Sequence, residues 1–239
     1  MFQESKIRSI VKTISWRFWA TLTTVVLVLI FVGKPTIALT IGGLEVVTKM
    51  IIYFVHERTW NAIKFGKHEI KPSVIWITGL ARSGKSEIAS KLTEKLKKKG
   101  LKAEHLDGHS IRHLFPEIGF NREAVNEHIK RVGYLASKLE EQGVFVVASF
   151  LSPYSESREF VKSICKNYSE IYISTPLEEC EKKDTTGIYA KAKNGELQNF
   201  PGVSAPYEAP SNGVLSIDTS EVSIEDSVEK IFNYVKRNF

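Results

Sequence analysis

Eight residues carry the plainest chemistry in the chain: Gly79, Leu80, Ala81, Arg82, Ser83, Gly84, Lys85 and Ser86, reading G-L-A-R-S-G-K-S. They fit the pattern G-x-x-x-x-G-K-[ST]. Glycines there let backbone N–H groups turn inward around phosphates, and a helix opening behind them adds a favourable dipole. Lys85 then reaches the β- and γ-phosphates of a nucleoside triphosphate, and the Ser86 hydroxyl can ligand Mg²⁺. The pattern has meaning only between a strand and a helix. V-I-W-I-T at 74–78 and the amphipathic stretch from Lys85 to Lys99 supply both. A chance glycine-rich turn is the competing reading, and this context argues against it.

Other candidates stand at the ends of apolar runs. L-D-G-H-S-I-R, residues 106–112, closes a second predicted strand, at the carboxyl edge where α/β sheets place ligands. Asp107 there holds Mg²⁺-bound water or receives an acceptor's proton; equally, Asp107 or Ser110 caps a helix. S-F-L-S-P-Y, residues 149–154, ends a third strand and is followed by Glu156 and Arg158. The run from Lys183 to Pro210 is rich in Gly, Pro and Lys and has no clear period; so long a loop in a compact domain is usually a functional lid.

Stepping outward, short apolar runs alternate with helical stretches, which predicts an α/β fold with a parallel sheet and flanking crossover helices. Strands are expected at 74–78, 102–106, 144–149, 171–174 and 214–218. Helices are expected at 85–99, 122–142, 155–166, 177–183 and 224–237.

The four elements in this order resemble the adenylyl-sulfate kinase family over about residues 72–238. D-T-T-G-I-Y-A-K-A, N-F-P-G-V and A-P-Y-E-A-P in the lid are close to that family's own segments. The resemblance implies a P-loop kinase that uses ATP and Mg²⁺. Its acceptor is a small molecule, adenosine 5′-phosphosulfate or a related nucleotide, phosphorylated on the 3′-hydroxyl. By position, Gly79–Ser86 bind ATP and Ser86 the metal. Lys85, Asp107, Ser152 and His109 are the catalytic candidates. Asp107, Arg112, Phe120, Ser152 and Lys191 bind the acceptor, Phe120 by stacking on its adenine. Several positions depart from the family. His109 stands where a second aspartate is usual, Val125 and His128 where an arginine and an asparagine grip the acceptor. Thr186 and Ala190 replace lid lysines, while Arg82 and Glu87 replace a small residue and a threonine. ATP-side residues are kept and acceptor-side residues changed. A kinase of another hydroxyl acceptor therefore stays open, as does a nucleotide-binding pseudokinase acting through its N-terminal segment. The intact Lys85, Ser86, Asp107 and Ser152 count against the last.

Charge divides the chain. Residues 1–70 hold nine Lys/Arg against four Asp/Glu, and residues 71–239 hold 24 against 23. A nearly neutral body argues against nucleic acid as a partner. The two cysteines, Cys165 and Cys180, suit a reducing compartment. Phe18–Gly33 is uncharged, and Thr36–Val55 carries only Glu45 and Lys49, side by side at i, i+4 on a helix. The break between the two stretches contains Lys34 and Pro35. Lys6, Arg8, Lys12 and Arg17 precede the pair, and Arg58, Lys64 and Lys67 follow it. The expectation is an α-helical transmembrane hairpin, a multi-pass membrane protein with both termini and the kinase domain cytoplasmic. A signal peptide and a hairpin in a soluble core are the competing readings. Gly42 and Gly43 would let a second helix approach, so a homo-oligomer is plausible. K-T-I-S-W-R at 12–17, A-L-T-I-G at 38–42 and Y-F-V-H-E-R-T-W at 53–60 resemble a family of two-helix membrane modules of unassigned chemistry. Two domains are expected, 1–65 and 72–239.

Overall fold

The N-terminal charges and apolar runs resolve into a helical hairpin. Its elements are a short strand β1 (Phe2–Glu4), helix α1 (Lys6–Phe31), helix α2 (Pro35–Ala62) and strand β2 (Lys67–Glu69). Pro35 opens α2, where a missing N–H is not needed. β1 and β2 pair antiparallel. The structure, a computed structural model, describes residues 2–4, 6–31, 35–63, 65, 67–69, 71–115, 118–210 and 213–236. Gly33, Lys34 and Lys64 lie outside the described residues.

Polar groups line the seam between the two helices. Arg8 is fully buried and donates from Nη1 to the carbonyls of Ile63 at 2.9 Å and Phe65 at 2.8 Å, and from Nη2 to that of Trp60. A cation there satisfies the carbonyls left over at the C-terminal end of α2. Lys12 pairs with Glu57 at 2.9 Å, Ser15 with His56 at 3.0 Å, and Thr24 donates to Glu45, which also holds Lys49. Ile7, Ile10, Ile14, Phe18, Trp19, Met50, Ile51 and Phe54 are exposed.

The two membrane spans expected from the sequence need correction. Among the described residues, no helix is long and apolar enough to cross a membrane. The uncharged part of α1, Phe18–Phe31, is fourteen residues, about 21 Å of helix against a hydrocarbon core of about 30 Å. In α2 the Glu45–Lys49 pair interrupts the apolar run.

The chain divides into units Met1–Ile70 and Lys71–Phe239. In the second unit β3 (Val74–Gly79) is buried at every residue. It is followed by α3 (Lys85–Lys98), β4 (Ala103–Asp107), α4 (Gly108–His113), α5 (Arg122–Glu141), β5 (Phe145–Ser149) and α6 (Ser155–Ile164). Then come β6 (Tyr168–Ile173), α7 (Leu177–Lys182), α8 (Ile188–Lys193), β7 (Leu215–Ile217) and α9 (Ile224–Lys236). The five strands lie parallel in the order β4-β5-β3-β6-β7. Continuous apolar runs fit a sheet covered on both faces. On one side Val74, Trp76, Val146, Ala148 and Phe150 pack with Ile129, Val132, Ala136 and Val161. The register sets Ile77 and Asp107 each opposite Ser149. That places the ends of β3, β4 and β5 along one carboxyl edge.

Candidate active site

The phosphate loop joins β3 to α3. Gly84 caps α3 at φ +91°, a left-handed value that favours glycine. Lys85 is buried and folds back on its own loop, donating from Nζ to the Leu80 carbonyl and to Ser83 Oγ at 3.3 Å. Burial pulls its ammonium down to about 8, against an opposite pull from Cys180 and Asp107. Beside it opens a cleft of about 530 Å³ lined by Arg82, Gly84, Lys85, Ser86, Lys183 and Thr219, among others. Thr219 donates to the Ser83 carbonyl at 3.1 Å and receives Lys183 Nζ at 3.1 Å. These contacts tie the end of β7 and the end of α7 to the loop.

Asp107 caps a helix and also reaches the phosphate loop. Its Oδ2 accepts from Ser110 N at 3.0 Å and Ser110 Oγ at 3.1 Å, capping α4, a short helix the periodicity did not reveal. Its Oδ1 accepts from Ser86 Oγ at 2.7 Å and Ser149 Oγ at 3.1 Å. Burial raises the carboxyl, but the bonds from Ser86, Ser110 and Ser149 outweigh it and hold it below the usual carboxylate range. Adjacent ligands on octahedral magnesium lie about 2.9 Å apart. Two hard oxygens at 2.7 Å on Ser86 and Asp107 therefore fit that ion.

The remaining predicted residues divide. Arg112 donates from Nη2 to the carbonyls of Ile118 and Gly119, each at 2.9 Å, and its guanidinium lies 4.0 Å over the Phe120 ring. The two acceptor residues thus meet each other, and Phe120 is largely exposed. His109 is exposed and pairs with His113, Nε2 to Nε2 at 3.2 Å. Lys191 is exposed on α8. Ser152 is not at the surface. It is buried at φ +34°; its Oγ receives Trp76 Nε1 at 3.1 Å and donates to Thr78 Oγ1 at 2.9 Å. His128 is buried between the rings of Phe115 and Phe150, with its Nε2 unpartnered. Burial, then the nearby Arg112 and Arg131, lower its basicity.

The lid run is not structureless, as its lack of period suggested, since it contains α8. Asp184 opens it, accepting from Thr186 N at 3.0 Å, Thr186 Oγ1 at 2.8 Å and Tyr189 N at 2.9 Å. Tyr189 donates from its hydroxyl to the Ala81 carbonyl at 2.8 Å. Gly202 sits at φ +88°, a left-handed value that favours glycine, and packs N-F-P-G against Leu80 of the loop, whose Cδ2 would lie 2.8 Å from an added Cβ. At the far end Glu208 accepts from Ser155 N at 2.8 Å and pairs with Arg122 at 2.9 Å. Arg158 donates to the carbonyls of Ser152 and Glu208. Sequence reasoning missed Asp184, Tyr189, Ser149 and Glu208 as site-building residues. The D-T-T-G turn signature was the one local clue.

The family model described as "Adenylylsulphate kinase" matches residues 71–218, and one described as "Predicted membrane protein (DUF2061)" matches residues 10–61. The adenylyl-sulfate kinase of Staphylococcus epidermidis is 42% identical over 175 residues, covering 72% of this chain and 88% of its own. That of Bacteroides thetaiotaomicron is 42% identical over 173 residues, covering 71% and 85%. Among solved structures, the Mycobacterium tuberculosis APS kinase in complex with AMPPNP and APS aligns with a TM-score of 0.66 at 32% identity. That alignment covers 70% of this chain and 99% of that one.

Proposed function

The chain belongs to the adenylylsulphate kinase family of ATP-dependent kinases, and on that premise we propose the following reaction. Residues 71–239 transfer the γ-phosphoryl group of ATP to the 3′-hydroxyl of adenosine 5′-phosphosulfate, giving ADP and the 3′-phosphorylated product. The observation that carries this reading is the 2.7 Å bond joining Ser86 of the phosphate loop to Asp107 of the acceptor motif. It brings a triphosphate cradle and an ionised carboxylate to one sheet edge.

The geometry supports a role for each residue in this reading. Loop amides and the α3 N-terminus receive the phosphates. Lys85 leaves the Leu80 carbonyl for the transferring phosphoryl oxygens, where an ammonium stabilises spread negative charge. Ser86 and Asp107 would hold magnesium, which neutralises charge on the β- and γ-oxygens when bound. Asp107 stays ionised because three serines solvate it, and it orients or accepts from the attacking hydroxyl. Ser152 acts from below as a positioning residue. Its carbonyl holds Arg158, which in turn holds the Glu208 end of the lid. Phe120 and Arg112 form the acceptor's stacking wall.

A second acceptor, nucleotide-like but lacking the phosphosulfate group, is favoured by one observation. Val125 and the buried His128 stand where the resemblance implies an arginine and an asparagine that grip the acceptor. Incubating the purified chain with ATP, magnesium and either adenosine 5′-phosphosulfate or a panel of nucleosides and nucleotides separates the two readings. Phosphorylation of adenosine 5′-phosphosulfate at the highest kcat/KM supports the first. ADP release only with another acceptor replaces it, and no transfer to any acceptor by a folded, ATP-binding protein defeats both.

We also propose that residues 1–70 attach the enzyme to a membrane, with the kinase domain on the cytoplasmic side where ATP is available. The support is an apolar exterior over a polar seam, the basic residues flanking the hairpin, and the matched family's description. The full chain should float with liposomes in a density gradient. A chain starting at Lys71 should stay at the bottom; equal behaviour of the two would defeat the attachment.

A further inference from the structure

Two side chains 104 positions apart, one in the phosphate loop and one in the lid run, meet directly. Arg82, in the phosphate loop, donates from Nη2 to Thr186 Oγ1 at 2.7 Å.

The partners of that cation are weak. Arg82 Nε lies 3.6 Å from Asp184 Oδ1, beyond hydrogen-bond range. That oxygen already accepts two bonds from Thr186, and Oδ2 accepts one from Tyr189. The hydrogen-bonded partner of the guanidinium is therefore a neutral hydroxyl, with the buried Asp184 carboxylate beside it at ion-pair distance. The Arg82 side chain remains 40% exposed and lines the same cleft as Lys85 and Ser86. Its backbone sits at φ +61°, a region that residues with side chains rarely occupy. Such positions tend to persist where function requires them. A guanidinium binds phosphate through charge-assisted, often bidentate bonds, roughly twice as strong as a bond to a neutral hydroxyl. A nucleoside triphosphate in the cleft would outcompete Thr186.

We propose that Arg82 is a phosphate-binding residue of the nucleotide site that exchanges its Thr186 hydroxyl for a phosphate oxygen of bound ATP. In that exchange it lets go of the first turn of the lid as the nucleotide enters. Asp184 then keeps that turn folded through Thr186 and Tyr189. This rests on the nucleotide-binding half of the proposed function and goes beyond it.

The test is ATP affinity of the full chain, measured directly without acceptor, for wild type, Arg82→Ala, Arg82→Lys, Thr186→Val and the double variant Arg82→Ala/Thr186→Val. Circular dichroism checks that each is folded. Arg82→Ala should weaken ATP about tenfold or more, as loss of a charged hydrogen bond does, and Arg82→Lys should recover part of it. Thr186→Val should tighten ATP, because it removes the competitor, and should have no effect once Arg82 is alanine. Unchanged affinity in Arg82→Ala would overturn the assignment. So would a Thr186→Val loss as large as that of Arg82→Ala, which would leave Arg82 only a fastener for the lid. Failure of the wild type to bind ATP would defeat the proposed function itself, and is distinguishable because it precedes any variant.

Discussion

Arg8 in the hairpin and Lys85 in the kinase unit are both buried cations, and the two are treated oppositely. Arg8, in the hairpin, gives its guanidinium to three carbonyls at the end of α2 and is wholly enclosed. Lys85, in the kinase unit, has one carbonyl and one distant hydroxyl, and burial drags its ammonium down to about 8. A planar fork with five donors can be satisfied in place, so Arg8 holds a chain end still. A single ammonium with too few partners is poised to move to a better anion. The contrast extends to the solvent each unit fits. The kinase unit hides Ile75, Trp76 and Ile77 and exposes its lysines, whereas the hairpin hides Arg8 and His56 and exposes isoleucines and aromatics. That inversion suits surroundings less polar than water.

The contrast is broken most forcefully at Lys85. Lys85→Ala should lower kcat about a hundredfold or more, the usual loss for one electrostatic donor aimed at a transition state. The melting temperature should stay near wild type or rise, since an underpaired buried charge is being removed. Steady-state transfer assays with calorimetry check both. Turnover within a factor of a few of wild type would show that Lys85 is as structural as Arg8.

The pH dependence sharpens the same point with a smaller effect. Phosphates bind the ammonium form, and the free enzyme holds that form below about pH 8. ATP affinity should therefore be level below that value and weaken as pH rises through it, approaching tenfold per unit. Bound phosphates raise the lysine's own value, so the decline levels off at higher pH. Lys85→Arg, which cannot deprotonate in this range, should remove the limb. Titrations from pH 6.5 to 9.5 decide it, and a level wild-type profile would detach Lys85 from the nucleotide.

At Arg8 the expected change is local and spares catalysis. Arg8→Met leaves three carbonyls at the end of α2 without their donor, worth about 1–3 kcal/mol for a buried polar group. Residues 1–70 should become more sensitive to limited proteolysis, while transfer by the kinase unit stays at the wild-type rate. Lost transfer with an undigested hairpin would reverse the roles assigned to the two cations.

What could be read from the sequence follows from how local each feature is. The phosphate loop was legible because strand, glycines, Lys85 and helix are contiguous, and the parallel sheet because its buried strands are unbroken apolar runs. β6 starts three residues earlier than expected, at Tyr168, because Ser169 and Glu170 interrupt the apolar signal. The pairing of Arg82 with Thr186 spans 104 positions and leaves no local trace. Ser152 is a catalytic candidate only by resemblance, and its buried bond to Trp76, 76 positions away, has no local trace. The hairpin's two helices were legible, but not how far their charges shorten the apolar runs.

The smallest effect tests whether Asp107 is held ionised by its serines, the acidic counterpart of the Lys85 argument. Its carboxyl lies below the ordinary range because bonds from Ser86, Ser110 and Ser149 outweigh burial. A depressed carboxyl adds stability above the unfolded value near 3.9, and that stability is lost as pH falls through the folded value. Ser110 contributes twice, from its N–H at 3.0 Å and its hydroxyl at 3.1 Å. Ser110→Ala deletes the hydroxyl and keeps the N–H cap, so α4 should remain folded. Asp107 should then titrate higher, and the acid-unfolding midpoint should move up slightly, in the same direction. A carboxyl-resolved NMR titration is sensitive enough to see this. An unmoved or lowered Asp107 in the variant would mean that charge elsewhere at the sheet edge, not serine donors, keeps the carboxylate ionised.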